Sequence, residues 1–224
     1  MKIASVNQKP APVLREVLRT QIKGLIMEGI VDGRYPPGSR LIETKIAREL
    51  GVSQAPVREA LRDLESVGVV ESLAFRGTRV RKPTVAELVE AFPVRAALES
   101  LAAREAARRI SEEQLVELER LIDAMVEAAH QADATSQSVA NAQFHGLVVH
   151  AAGNATLERQ WTLLEPFART YLTTSHPGID LVRLAERHRK IVTHLRDRDS
   201  EGAAAAMHDH LMEASRWLQE GGAV

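Results

Sequence analysis

Cysteine is absent from the 224 residues. That excludes disulfides and thiolate metal sites. No apolar run approaches the length of a membrane span, and Met1–Pro12 lacks the apolar stretch of a signal peptide. There is no internal repeat and no low-complexity tract, and Ala203–Ala206 is only a short helix-forming run. What is present is the balance of an ordinary soluble protein, with 45% hydrophobic and 26% charged residues. A cytoplasmic protein of one large or two small domains, with no membrane partner, is the expectation.

The net charge of −1 hides an asymmetry. Residues 1–82 carry 15 Lys and Arg against 9 Asp and Glu, whereas residues 83–224 carry 14 against 21. A basic N-terminal third on an acidic remainder suits a nucleic-acid module joined to a carrier that DNA repels.

Periodicity divides the chain at the same place. Residues 1–12, with Pro10 and Pro12, read as a flexible arm. From Val13, apolar residues Leu14, Val17, Leu18, Ile22, Leu25, Ile26 and Ile30 recur at helical spacing, and Gly33 with Pro36-Pro37-Gly38 stops that helix. A short helix follows over about 44–50, closed by Gly51, then a third over 54–67 with Ser53 as N-cap and Val57, Ala60, Leu61 and Leu64 inward. Val69–Ser72 and Thr78–Val80 read as a hairpin. After Lys82-Pro83 the strand signal ends. A short helix from Thr84 to about Ala91 is expected, then one begun at Pro93 and running to about Arg109 with Val94, Ala97, Leu98, Leu101 and Ala102 inward. Ser111 and Gln114 form a capping box for a helix to about Ala132, and further helices are expected over about 138–151, 155–174, 180–197 and 200–219. The fold class expected is mainly α. A winged helix-turn-helix of three helices and a β-hairpin wing (13–82) precedes an all-α bundle of six or seven helices (84–224).

Two helices joined through Gly51-Val52-Ser53 form the core of a helix-turn-helix. Gln54, Arg58 and Arg62 stand four apart on the third helix, in a stripe turned away from Val57 and Leu61. Such a stripe can meet base edges in a major groove, Gln pairing with adenine and Arg with guanine or phosphate. Arg76-Gly77-Thr78-Arg79 puts basic groups and bare backbone at the hairpin tip. Any single Arg of this set is more commonly an ordinary solvated residue; the coincidence of turn, stripe, hairpin and local charge favours DNA.

The stretch Pro36–Glu43, then Ala47-Arg48-Glu49-Leu50-Gly51-Val52-Ser53, then Pro56-Val57-Arg58-Glu59-Ala60-Leu61, continuing to Glu65, with Gly68 and Arg76-Gly77, resembles the GntR family of bacterial regulators over about residues 13–82. The resemblance implies a homodimer on double-stranded DNA carrying a short palindrome. It also implies contacts from Thr44 and Arg48 on the second helix, Gln54, Ala55 and Arg58 on the third, and Arg76 and Gly77 in the wing. Gln54-Ala55 departs from the usual Arg-Thr, removing one charge and one hydroxyl.

All eight histidines lie after residue 129. Asn141 and His145 share one helical face, while His188 and His210 sit on two later helices. In a bundle, inward groups from several helices can converge, and three imidazoles suit Zn²⁺, Ni²⁺ or Fe²⁺ with positions left open for a ligand. The alternative is a buried polar network without metal. His130, His150, His176, His194 and His208 read as surface or local packing residues.

A second resemblance rests on Arg95-Ala96-Ala97-Leu98-Glu99, on Asn141-Ala142-Gln143-Phe144-His145 with Ala152-Gly153-Asn154, and on Glu186-Arg187-His188 followed by His210-Leu211. These are similar to the FadR-type effector domain (FCD) of GntR regulators, over about residues 84–219. It implies a divalent metal (Zn, Ni, Fe or Mn) on Asn141, His145, His188 and His210, completed by a small organic acid, with Arg95 near the cavity. Arg95 either clamps a carboxylate or pairs with Glu99, and the sequence leaves both open. Asn141, where Asp is common, leaves the metal's full charge uncompensated and favours an anionic effector. The reading is a dimeric, effector-controlled repressor. Two alternatives compete with it: a metal-dependent hydrolase, against which no His-Glu-x-x-His spacing supplies a base, and a DNA-binding protein with a purely structural dimerisation domain.

Overall fold

The computed structural model describes residues 12–73, 76–164 and 180–219. The expected arm apart from Pro12, Phe75, the second half of the helix expected over 155–174, His176-Pro177-Gly178 and residues 220–224 lie outside the described residues.

The N-terminal unit runs α1 (Pro12–Val31), β1 (Arg40–Leu41), α2 (Glu43–Glu49), α3 (Gln54–Ser66), β2 (Val70–Leu73) and β3 (Gly77–Val80). Its core joins Ile22, Ile26 and Ile30 of α1 to Ile46 and Ala47 of α2 and to Val57, Ala60, Leu61 and Leu64 of α3. Val17 and Leu25, expected inward, are exposed, because only the stripe through Ile22, Ile26 and Ile30 faces α3. Gly51 takes φ +65°, a left-handed value that lets the Val52 amide turn back to the Ala47 carbonyl at 2.9 Å. The hairpin is as expected, with Val70 opposite Val80 and Leu73 opposite Gly77. A third strand, β1, was not anticipated: two residues carry no alternation to read, yet Arg40 pairs opposite Arg79, giving the sheet order β1-β3-β2.

The C-terminal unit comprises α4 (Val85–Ala106), α5 (Glu112–His130), α6 (Ala134–Ala151), α7 (Ala155–Thr162), α8 (Leu181–Glu186), α9 (His188–Arg196) and α10 (Ser200–Gln219). Thr84 with Glu87, and Ser111 with Gln114, both close as capping boxes. The helix expected to stop near Ala91 and restart at Pro93 is instead continuous, with Pro93 inside it on the exposed side. An interior proline costs about 3 kcal/mol or more. Leu88, Phe92, Ala96, Ala103 and Ala106 line one face across the proline and pack with Phe144, Ile191 and Met207, and that burial outweighs the cost. The inward face is also turned from the one expected. Ala102 is buried as expected, but Arg95, Ala96, Glu99 and Ala103 are buried with it, while Val94, Ala97 and Leu101 are exposed. Asp133 caps α6 through the Ser136 amide, so α6 starts four residues earlier than its apolar pattern indicated. The helix expected over 180–197 is divided at Arg187, where the His188 ring turns back onto the Ala185 carbonyl. Among the described residues no helix is long and apolar enough to cross a membrane.

The two units touch through α6. Ala142 is 1% exposed within the N-terminal apolar cluster, and Val139, one turn earlier, packs against it.

Candidate metal centre and nucleic-acid interface

Thr44, Arg48, Ser53, Gln54, Ala55, Arg58, Arg62, Arg76 and Gly77 are all exposed. Gln54, Arg58 and Arg62 form their stripe on α3 opposite the buried Val57/Leu61/Leu64 face. Ser53 stands at the N-cap with extended backbone, but its hydroxyl makes no cap hydrogen bond, contrary to the expectation. Gly77 has φ +77°, and a Cβ there would come within 3.3 Å of the Arg40 guanidinium. Arg40 therefore joins Arg76 at the wing. It was missed because only the pairing of β1 brings it there. Arg58 is clamped by Glu43, which raises its pKa first through hydrogen bonding and then through charge.

In the bundle, α6, α9 and α10 each turn one imidazole inward. His145, His188 and His210 are 1%, 0% and 6% exposed, and their ligand nitrogens lie within 4.8 Å of one another. Asn141, 6% exposed, sits one turn before His145 on the same helix. The remaining described histidines behave as expected. His130, His150 and His208 are exposed, and His194 pairs locally with Asp199.

The hydrogen bonds fix the tautomers. His145 Nδ1 lies 2.6 Å from Glu99 Oε2, and a carboxylate can only accept, so Nδ1 carries the proton. His188 Nδ1 lies 3.0 Å from the Ala185 carbonyl and likewise donates. With both rings neutral, the form a metal requires, the two Nε2 atoms carry lone pairs, and they face each other at 3.4 Å. Among the described residues, His210 Nδ1 is buried without any partner. Two such lone pairs in a buried site repel each other unless a proton or a metal cation lies between them. Zinc–nitrogen bonds of about 2.0–2.1 Å at tetrahedral angles set ligand nitrogens roughly 3.4 Å apart, so the residues present fit such an ion. Burial, and then the neighbouring His145, pushes His188 down to about 3; burial and the other two imidazoles hold His210 well below 6.5. Both are therefore neutral at pH 7, the form that binds metal.

Glu99 organises this centre, a role the sequence did not reveal. Besides His145 it accepts Arg95 Nε at 2.9 Å and Trp161 Nε1 at 2.9 Å. Burial pushes its carboxyl up, but Arg95, His145 and Trp161 together outweigh that and hold it at about 2. The Arg95–Glu99 spacing was a legible signal for an ion pair; nothing in the spacing pointed to Trp161, 62 residues away. Arg95 is 2% exposed, and among the described residues its only hydrogen bond runs from Nε to Glu99.

Comparison with known proteins agrees with both halves. Residues 18–80 match the bacterial regulatory proteins of the gntR family, and residues 90–213 match the FCD domain. A protein of Paenarthrobacter nicotinovorans described as a probable D-xylose utilization operon transcriptional repressor is 40% identical over 197 residues, covering 88% of this chain and 87% of its own. The HTH-type transcriptional repressor RspR of Escherichia coli K12 is 28% identical over 204 residues, covering 89% and 88%. Among solved structures, E. coli McbR/YncC superposes with a TM-score of 0.71 at 24% identity, covering 91% of this chain and 97% of its own. A GntR regulator from Rhodococcus sp. RHA1 gives 0.68 at 23%, covering 90% and 97%; both structures bear on the fold alone. A winged helix-turn-helix that exposes Gln54, Arg58 and Arg62 on its third helix, joined to an FCD bundle, thus places the chain in the GntR family of DNA-binding transcriptional regulators.

Proposed function

We propose that the chain is a homodimeric repressor whose hold on a palindromic operator is set by a divalent metal and an anionic effector in the C-terminal bundle. The observation that carries this reading is the 3.4 Å approach of the His145 and His188 Nε2 atoms, beside a buried His210 Nδ1 that has no partner among the described residues. His145, His188 and His210 hold the metal, with Asn141 beside them. When bound, the ion supplies a Lewis acid that fixes a carboxylate. The rest falls to the chain. Glu99 orients His145 and neutralises Arg95 through Nε, leaving the Nη groups of Arg95 for the effector's far end. A Bacillus licheniformis relative described as a gluconate operon transcriptional repressor supports sugar acids as the class to test first.

On the DNA side, Thr44, Arg48, Ser53, Gln54, Ala55, Arg58 and Arg62, with Arg76 and Gly77 in the wing, form the operator face. For assembly, Val94, Ala97 and Leu101, exposed on α4 with Leu98 half-buried among them, make an apolar stripe suited to the two-fold partner a palindrome requires. The test is operator binding by full-length chain with metal removed, with metal restored, and with metal plus a panel of sugar acids. At least one acid is expected to shift operator affinity only when metal is present. Identical binding in every condition would leave the bundle as a dimerisation scaffold.

A further inference from the structure

The operator face treats its cations unequally. Among the described residues, Arg48, Arg62 and Arg76 have no carboxylate partner, whereas Arg58 is clamped by Glu43. Glu43 is the first residue of α2, and it reaches across to α3 with three contacts: Arg58 Nε to Oε1 at 3.1 Å and to Oε2 at 3.0 Å, and Nη2 to Oε2 at 2.7 Å. The Glu43 side chain is 28% exposed and that of Arg58 52%. An exposed ion pair contributes little stability, so stability is a poor reason for this geometry.

A guanidinium has two parallel forks. Nε–H with one Nη2–H makes the side fork; Nη1–H with the other Nη2–H makes the end fork. Glu43 occupies the side fork and leaves the end fork pointing away from it. With the side fork taken by Glu43, the end fork is left to read guanine O6 and N7 as a bidentate pair. Glu43 also cancels the charge that would draw Arg58 to the nearest phosphate, a contact blind to sequence. We propose that Glu43 is a positioning residue for base readout: it holds Arg58 side-on, aims its end fork at a base edge, and exchanges non-specific affinity for sequence discrimination. This rests on the reading that Arg58 enters the major groove.

The test uses the full-length chain and a site selected by it from a randomised double-stranded DNA pool. Affinities are measured for that site, for each single base-pair variant of it, and for a scrambled duplex, across a range of salt concentrations. Arg58→Ala is expected to lose about five-fold or more of the discrimination at one base pair per half-site. Glu43→Gln is expected to lose discrimination at that same base pair and nowhere else, to bind the scrambled duplex more tightly, and to steepen the salt dependence by about one phosphate contact per protomer. Glu43→Asp keeps the charge but shortens the reach, so it should lose discrimination with no gain on the scrambled duplex. In an Arg58→Ala background, Glu43→Gln should leave discrimination where Arg58→Ala left it. If Arg58→Ala loses discrimination while Glu43→Gln and Glu43→Asp discriminate as wild type, Glu43 does not position Arg58. If Arg58→Ala itself discriminates as wild type, or the pool yields no site, the underlying reading of Arg58 fails and the proposal with it.

Discussion

At Glu99 three donors from three different helices converge on one buried carboxylate: Arg95 on α4, His145 on α6 and Trp161 on α7. Removing its charge strands Arg95, and breaking a buried pair costs about 3–5 kcal/mol. Glu99→Gln is therefore expected to lower the melting temperature of the chelated protein. It should also weaken Zn²⁺ binding about 10–100-fold, the usual cost of losing a carboxylate behind a ligating imidazole; titration against a competing chelator reads the second effect, and an unchanged affinity would detach Glu99 from the centre. The buried imidazoles make a pH prediction of definite sign. His188 falls from 6.5 to about 3 on folding, and His210 shifts the same way. Below pH 6.5 the unfolded chain binds protons that the folded chain refuses, so stability is complete above 6.5 and declines as pH falls toward 3. At about pH 5 the His188 shift alone amounts to about 2 kcal/mol. Melting of metal-free protein should drop between about pH 7 and 5, and His188→Leu should flatten that slope; a parallel curve for the variant would show that His188 is not the group responsible.

At the scale of elements, α4 shows what was readable and what was not. The helix-turn-helix was legible because Gly51, Ser53 and the Val57/Leu61/Leu64 stripe are local signals, each contained within one element or its turn. The histidine centre was half legible: helical spacing puts Asn141 and His145 on one face, but only the packed bundle brings His188 and His210 to them. The inward face of α4 was misread because hydrophobicity pointed to Val94, Leu98 and Leu101, while the fold buries the charged pair Arg95–Glu99 instead. That choice depends on Trp161 and His145, which no periodicity within α4 encodes. The uncovered stripe carries its own prediction. Leu101→Asp, on a side chain 38% exposed, should yield monomers in sedimentation, whereas Val116→Asp on α5, where the side chain is 65% exposed, should leave assembly unchanged. Dimers from Leu101→Asp would move the interface elsewhere.

For the whole molecule, α6 is the shared part. It carries Asn141 and His145 toward the histidine centre, and Val139 and Ala142 into the apolar cluster of the winged unit. A ligand that shifts α6 has a packed route to the recognition helix, so long as the two arrangements differ in free energy. Ala142→Gly, which thins that contact, should reduce the change in operator affinity caused by metal and effector while leaving metal binding intact; full coupling in this variant would place the route elsewhere. The metal comes first in this chain of effects. Elemental analysis of protein purified without chelators tests it most directly. About one equivalent of a divalent transition metal per chain in the wild type, lost in His188→Ala together with part of the thermal stability, is the predicted result. Less than about a tenth of an equivalent, with no thermal shift on adding Zn²⁺, Ni²⁺ or Mn²⁺, would contradict it and leave the three imidazoles as a polar network.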